Sequence, residues 1–333
     1  MIVSRAPVRI SLWGGGTDCN PFNDKHGGKV LNFAINLRHI GKLTPRDDKW
    51  VWIEAMGESR IWRLDKPIKY GIDPKFDLMR AIVNSYDLET GFYYQDEFEG
   101  IQGAGLGSSA AAAVAFIGAM NKWQEIEMEI YDIAWKAWKM EAYELGWYSG
   151  WQDQFASAYG GINIFEWEYG AIEEVSLDRC LIESLLPWCV LLFTGKMRKS
   201  SEIQRVFYDD MRDRVNKGEP LKALAELKKL VEKGYEALAN YDYERLGKLL
   251  EESWEWKKKS SPLATNPRLD EVYEFAKKKG AIGGKILGAG GEGHILFIVP
   301  PGRREKFIET MENKGLKEID FGVDWQGLEI RKI

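Results

Sequence analysis

From residue 2 to residue 12, Val8, Ile10 and Leu12 fall on one face and Arg5, Pro7, Arg9 and Ser11 on the other. This period of two predicts a half-buried strand with Arg5 and Arg9 on the same side. Gly14-Gly15-Gly16-Thr17-Asp18 interrupts it with a turn, and residues 30–35 predict a second strand, so a strand, a glycine turn and a strand form a candidate ligand rim. A strand pair over 50–64 and a short helix over 76–84 follow. A helix from Ser109 to Trp123 turns Val114, Ile117 and Gly118 inward, and a second over 127–145 sets Ile130, Ala134, Trp138, Glu141 and Leu145 on one stripe. A short helix opens at Gly150-Trp151-Gln152-Asp153-Gln154 and ends before Gly160-Gly161, and residues 162–167 predict a strand.

The pattern changes around Pro187. A strand over 188–194, helices over 220–238, 243–258 and 269–278, a strand over 295–299 and a helix over 303–313 make the second half helix-rich around a small antiparallel sheet. Alternation over 315–331 predicts a terminal hairpin. A chain of 333 residues exceeds the usual single-domain size, and the change of pattern divides it into 1–185 and 186–333.

Composition narrows the function classes. Hydrophobic and charged fractions of 45% and 29% are those of a soluble globular protein, and 46 basic against 51 acidic residues leave a formal charge of −5 with no basic block. Nucleic acid and anionic membrane therefore have no support as partners, and no segment has the length of a membrane span or signal peptide, so the expected location is cytoplasmic. Cys19, Cys180 and Cys189 are scattered and only three histidines accompany them, which offers no zinc cluster.

The chemistry concentrates in Gly103-Ala104-Gly105-Leu106-Gly107-Ser108-Ser109, which runs into an alanine-rich helix. Glycines admit close backbone approach, and a helix start offers free amides and a positive dipole end to an anion. The loop has neither the lysine of a Walker A loop nor the spacing of GxGxxG. Ser108 and Ser109 can cap the helix or ligate Mg²⁺. Asp153 can be an N-cap or a base for a substrate hydroxyl, with Arg9 offsetting phosphate charge. Glu141, a carboxylate on an apolar stripe, either reaches the rim or is paired with a cation. Lys196 and Arg198, in Gly195-Lys196-Met197-Arg198-Lys199, form either a solvated loop or a second anion site, and Lys257-Lys258-Lys259 is most simply a dipole-favoured helix end.

Three stretches together, Ala6-Pro7-Val8-Arg9-Ile10-Ser11-Leu12-Trp13-Gly14-Gly15-Gly16-Thr17-Asp18, Gly103 to Ala110, and Gly288-Ala289-Gly290-Gly291, resemble the three motifs of the GHMP kinase superfamily in order and interval. The resemblance implies an α+β fold of two domains, the first like domain 2 of ribosomal protein S5 and the second ferredoxin-like, with ATP and a small-molecule sugar or sugar phosphate between them. It also implies Asp153 and Arg9 as catalytic, Gly103, Ala104, Gly105, Leu106, Gly107, Ser108 and Ser109 at the nucleotide phosphates, and Ser109 and Glu141 as Mg²⁺ ligands. Gly15, Gly16, Thr17, Asp18, Lys196, Arg198, Gly290 and Gly291 are expected at the substrate. The GGGTD turn, Gln152-Asp153-Gln154 and Thr194-Gly195 with Arg198 look closest to the branch that phosphorylates a heptose 7-phosphate at its anomeric hydroxyl. A homodimer is left open. Three residues depart from the family pattern: Glu292 in the third motif where glycine is usual, Asn36 where an aspartate often ends the second strand, and Gln102 in place of proline.

Overall fold

The alternating N-terminal segment forms strand β1 (Ile2–Trp13), yet from Ala6 onward both of its faces are covered and Arg9 and Ser11 are buried. The reason is its place inside a large sheet in the computed structural model, which describes residues 1–101, 103–196 and 218–333. A short helix α1 (Phe22–His26) leads to the long strand β2 (Lys29–Pro45) and the hairpin β3 (Trp50–Ala55) and β4 (Glu58–Arg63). Helix α2 (Asp77–Asn84), strand β5 (Phe92–Phe98) and helices α3 (Ser108–Trp123), α4 (Ile130–Lys139) and α5 (Gln152–Tyr159) come next. Strands β6 (Ile162–Glu168) and β7 (Ala171–Ser176) and helix α6 (Arg179–Leu185) complete the first half.

The second half holds β8 (Cys189–Phe193), helices α7 (Gly218–Ala239), α8 (Tyr243–Ser260) and α9 (Pro267–Lys278), strands β9 (Gly283–Ile286) and β10 (His294–Ile298), helix α10 (Arg304–Glu312), and two short strands, β11 (Lys317–Glu318) and β12 (Glu329–Lys332). The first sheet has eight strands in the order β12-β1-β2-β5-β3-β4, with β6 on β2 and β7 on β6. Residues 29–33 of β2 pair with β6 and residues 39–45 with β5, so one strand of 17 residues serves two neighbours. The second sheet is antiparallel, β11-β8-β10-β9. Helices and sheets segregate as an α+β fold requires.

Three expectations are corrected. The stretch 315–331 is not a hairpin, because β11 joins the second sheet beside β8 while β12 returns to pair with β1 in the first. Helix α3 is not amphipathic: residues 110–121 are all buried, since its alanines let elements approach from every side. The helix expected over 127–145 is regular only in α4 and continues as one π-helical turn, Met140–Glu144, that carries Glu141. Such single turns shift the direction of a side chain without ending the helix, and they recur at functional sites.

Candidate active site

The Gly103–Gly107 loop lies between the two sheets and is shaped by both. Gly105 and Gly107 have φ of 91° and 77°, and the demand is sharpest at Gly105, where a Cβ would lie 2.6 Å from the Leu287 carbonyl oxygen. The Ala104 carbonyl accepts from the His294 amide at 3.0 Å and from His294 Nδ1 at 2.7 Å. The Gly105 carbonyl accepts from Arg9 Nη1 at 2.9 Å and the Leu106 carbonyl from the Arg9 amide at 3.0 Å. With three successive carbonyls held, the amides of residues 105–109 have no protein acceptor among the described residues. Together with the start of α3 they form an anion cradle.

Arg9 joins this loop to Asp153. Trp151, not Asp153, stands at the N-cap of α5, and the Asp153 carboxylate instead accepts from Arg9 Nε at 2.8 Å and Nη2 at 2.5 Å. Arg9 is 4% exposed and Asp153 25%, so the cation is fixed within the protein while the carboxylate still faces the cleft. A Cβ on Gly107 would lie 3.1 Å from Asp153 Oδ2, so glycine there lets the carboxylate approach the loop. The resulting pair can orient a hydroxyl nucleophile next to phosphate oxygens, which is what phosphoryl transfer asks of protein groups.

Glu141 does not reach the rim; it is buried. Its Oε2 accepts from Ser149 Oγ at 2.5 Å and Gln154 Nε2 at 2.9 Å, while Oε1 is buried without a hydrogen-bond donor at bonding geometry. Burial pushes the carboxyl up to about 7, with hydrogen bonding from Ser149 opposing it, the Asp153 charge adding to it, and the nearby Ser109 hydroxyl and Gln154 opposing it. A buried carboxylate with a spare oxygen, beside a hydroxyl at the mouth of an anion cradle, fits a hard divalent cation. No group of three or more His, Cys, Asp or Glu that could hold a metal occurs among the described residues, so such a cation would depend largely on phosphate oxygens and water.

The Gly14–Asp18 turn behaves differently from expectation at one residue. Thr17 does not face the substrate: it is fully buried, and its hydroxyl donates within the turn region to Gly14 O at 2.8 Å and Lys29 O at 2.9 Å and accepts from Lys29 N. Asp18 ties the turn to α5, accepting from the Gly16 amide at 2.9 Å and from Gln152 Nε2 at 3.0 Å. Its pKa is raised, by burial first and then by the charge of Asp153. Gly15 lies beside Ser11 and Gln152, and Gly16 beside Leu224 and Lys257.

Lys196 is exposed after β8, and Arg198 lies outside the described residues. Gly290 and Gly291 pack on Ala264, whose carbonyl accepts from the Gly291 amide at 2.6 Å. Glu292 turns toward Arg268 at 3.0 Å and Thr194 Oγ1 at 3.1 Å, so its charge is paired rather than set against a ligand. Asn36 Oδ1 accepts from the Gly322 amide at 2.8 Å, anchoring the stretch that leads to β12. Gln102 lies outside the described residues.

Sequence reasoning missed four residues. His39 Nε2 lies 2.8 Å from Ser108 Oγ and its Nδ1 2.9 Å from Asp96 Oδ1; with Nδ1–H donated to the carboxylate, the serine hydroxyl donates to Nε2. Lys285 and Lys257 enter from the second half. A lysine amid Gly283-Gly284-Lys285-Ile286-Leu287 was the available signal for the former, as a charge in a strand otherwise built for burial. His39 and Asp96 lie on β2 and β5, 57 residues apart in sequence, and no local pattern unites them.

This fold and cradle are those of the GHMP kinases, and the chain belongs to that family: residues 79–161 match the GHMP kinases N terminal domain and residues 235–317 the GHMP kinases C terminal domain. It is a phosphotransferase of a family that takes ATP as phosphate donor. Among particular relatives, it is 29% identical to the D-glycero-alpha-D-manno-heptose 7-phosphate kinase of Campylobacter jejuni, over 100% of this chain and 99% of that one. It is also 34% identical to the mevalonate kinase of Pyrococcus furiosus over 69% of this chain and 66% of that one. A crystal structure of a D-glycero-D-manno-heptose 1-phosphate kinase from Bacteroides thetaiotaomicron superposes with a TM-score of 0.80 at 24% identity, covering 100% and 99% of the two chains. No helix among the described residues is long and apolar enough to cross a membrane.

Proposed function

We propose that the protein is an ATP-dependent sugar kinase that transfers the γ-phosphoryl group to the anomeric hydroxyl of a heptose 7-phosphate, giving the 1,7-bisphosphate for nucleotide-sugar and surface-polysaccharide synthesis. The observation that carries the reaction type is the Arg9–Asp153 pair, held at 2.5 Å at the edge of the amide cradle. The full-length similarity to a heptose 7-phosphate kinase supports the acceptor. Residues 103–109 hold the nucleotide phosphates through backbone amides. Asp153 accepts a hydrogen bond from the acceptor hydroxyl and takes its proton as the bond to phosphorus forms. Arg9 keeps that carboxylate aligned and places positive charge next to the transferring group. Ser109 and Glu141 are the residues that hold Mg²⁺, which offsets phosphate charge when bound. Asp18 and the Gly15–Gly16 backbone border the sugar.

The test is ADP release over a panel of sugars and sugar phosphates, with Asp153→Asn as the control. The variant keeps the shape and loses the charge, so kcat falls by about 10²–10⁴ while ATP affinity stays within a few-fold of wild type. Preference for L-fucose or galactose over heptose 7-phosphate refutes the acceptor, binding of sugar and nucleotide with no turnover points to a regulator, and full activity of the variant removes Asp153 from the mechanism.

A further inference from the structure

The first residue of α3, Ser108, does not cap its helix: Gly107 holds the N-cap position, and no side-chain bond is made there. Its hydroxyl turns instead to the first sheet, where His39 Nε2 lies at 2.8 Å. Behind the imidazole, Nδ1 meets both oxygens of Asp96, at 2.9 and 3.0 Å. The strand register sets Phe98 opposite His39 and Asp96 opposite Gly41, so all four positions share one face of the sheet. His39 is 2% exposed, and its ring stacks on that of Phe98 with centroids 4.4 Å apart and planes 9° apart. The imidazole is therefore fixed by a carboxylate at one nitrogen and by an aromatic ring against its face.

No lysine or arginine forms an ion pair with Asp96 among the described residues. A carboxylate only accepts, so it takes the Nδ1 proton and leaves Nε2 as the acceptor for Ser108. The serine proton is thereby spent on the sheet. The lone pairs of Ser108 Oγ accept no hydrogen bond among the described residues, and they are what this half-buried hydroxyl offers to the cradle. That polarity is opposite to that of the amides of residues 105–109 beside it. The amides donate to phosphate oxygens, whereas an acceptor-only hydroxyl suits a divalent cation or the waters such an ion keeps.

We propose that His39 and Asp96 are positioning residues that commit the Ser108 proton to the sheet, so that Ser108 serves the divalent cation carried by the nucleotide, directly or through its water, and not the phosphate oxygens. This rests on the reading of residues 103–109 as the nucleotide site and is independent of which sugar accepts the phosphoryl group. Two measurements test it. With three histidines in the chain, ¹⁵N-histidine labelling resolves the ring protonation of each. His39 is expected to carry its proton on Nδ1 alone, with and without bound Mg²⁺ and ADP. A proton on Nε2 overturns the proposal, since the serine then accepts from the ring.

Calorimetry gives the affinity for ADP with Mg²⁺ and with EDTA, in wild type, in Ser108→Ala and in the double variant His39→Phe, Asp96→Leu. The double variant removes both partners at once, so no buried carboxylate is left unpaired. The tightening that Mg²⁺ confers is expected to fall by about three- to thirty-fold in both variants. Metal-free affinity stays within about threefold of wild type in Ser108→Ala and does not fall in the double variant, whose serine is free to donate to phosphate. Equal losses with and without metal assign the couple to anchoring of α3 and overturn the proposal, as does a wild-type response to Mg²⁺ in either variant. If the double variant does not fold, the histidine spectrum and Ser108→Ala decide. If wild type binds no ADP, the nucleotide reading of the loop fails together with the proposal.

Discussion

Lys285→Met isolates the electrostatics of the cleft. Burial, then the charges of Lys257 and Arg9, bring the Lys285 pKa down from 10.5 to about 7. A lysine with a depressed pKa binds fewer protons folded than unfolded between pH 7 and 10.5, so its contribution to stability rises with pH across that window. Below pH 7 the folded protein carries the full cost of the buried charge, about 5 kcal/mol for this shift at roughly 1.4 kcal/mol per pH unit. Methionine keeps most of the volume and removes the charge, but it leaves the Leu12 carbonyl, which accepts from Lys285 Nζ at 3.0 Å, without its donor, which costs about 1–2 kcal/mol. The expected net effect at pH 6 is a stabilisation of roughly 3 kcal/mol. At pH 10 the native lysine is neutral but the unfolded one is still mostly protonated, which leaves about 0.8 kcal/mol of that cost to offset the lost hydrogen bond, so the variant is less stable than wild type by about 1 kcal/mol or less. Urea denaturation of both proteins from pH 6 to pH 10 measures the difference, and taking that difference cancels every other titrating group. A wild-type-minus-variant curve flat to within about 1 kcal/mol refutes the assignment of Lys285 as a buried charge held at a cost.

Two further outcomes follow from the site. Gly105→Ala sets a Cβ 2.6 Å from the Leu287 carbonyl at a φ of 91°, so the loops separate; the expected loss is about 2 kcal/mol or more in stability, with a raised KM for ATP, read by calorimetry and ADP release. Glu141→Gln preserves the shape and removes the charge offered to a cation, so the Mg²⁺ concentration for half-maximal activity rises by about tenfold or more, and an unchanged Mg²⁺ titration excludes Glu141 from the metal site.

What could be read from the sequence was local, and what could not was assembled by topology. The glycine loop, the turn at Gly14–Asp18 and the helices α3, α7, α8 and α9 announce themselves through residue type or a period of 3.6. Their boundaries in the structure lie close to expectation. Glu141 was visible as a carboxylate on an apolar stripe, but the π-helical turn that carries it was not, because backbone register is set by packing rather than by composition. Thr17 has the composition of a ligand residue and spends its hydroxyl on its own turn. Lys257 looked like its two neighbours because only the approach of α8 to Gly16, a contact between distant parts of the chain, separates it from them. The final strand was misassigned for the same reason, since alternation shows that a segment is a strand but not which strand receives it.

The return of β12 to β1 means that the chain crosses between the two sheets twice, once at residues 186–188 and again between β11 and β12. The second crossing is pinned along its length: the Asp324 amide donates to Ala34 O at 3.0 Å, the Asp324 carbonyl accepts from the Gly161 amide at 2.6 Å, and Arg38 forms ion pairs with Asp324 and Glu329. The two sheets are thereby tied at both ends of the second half as well as through the core that β1 and β2 share with α7, α8 and β10, so the loop they shape between them is held from both sides.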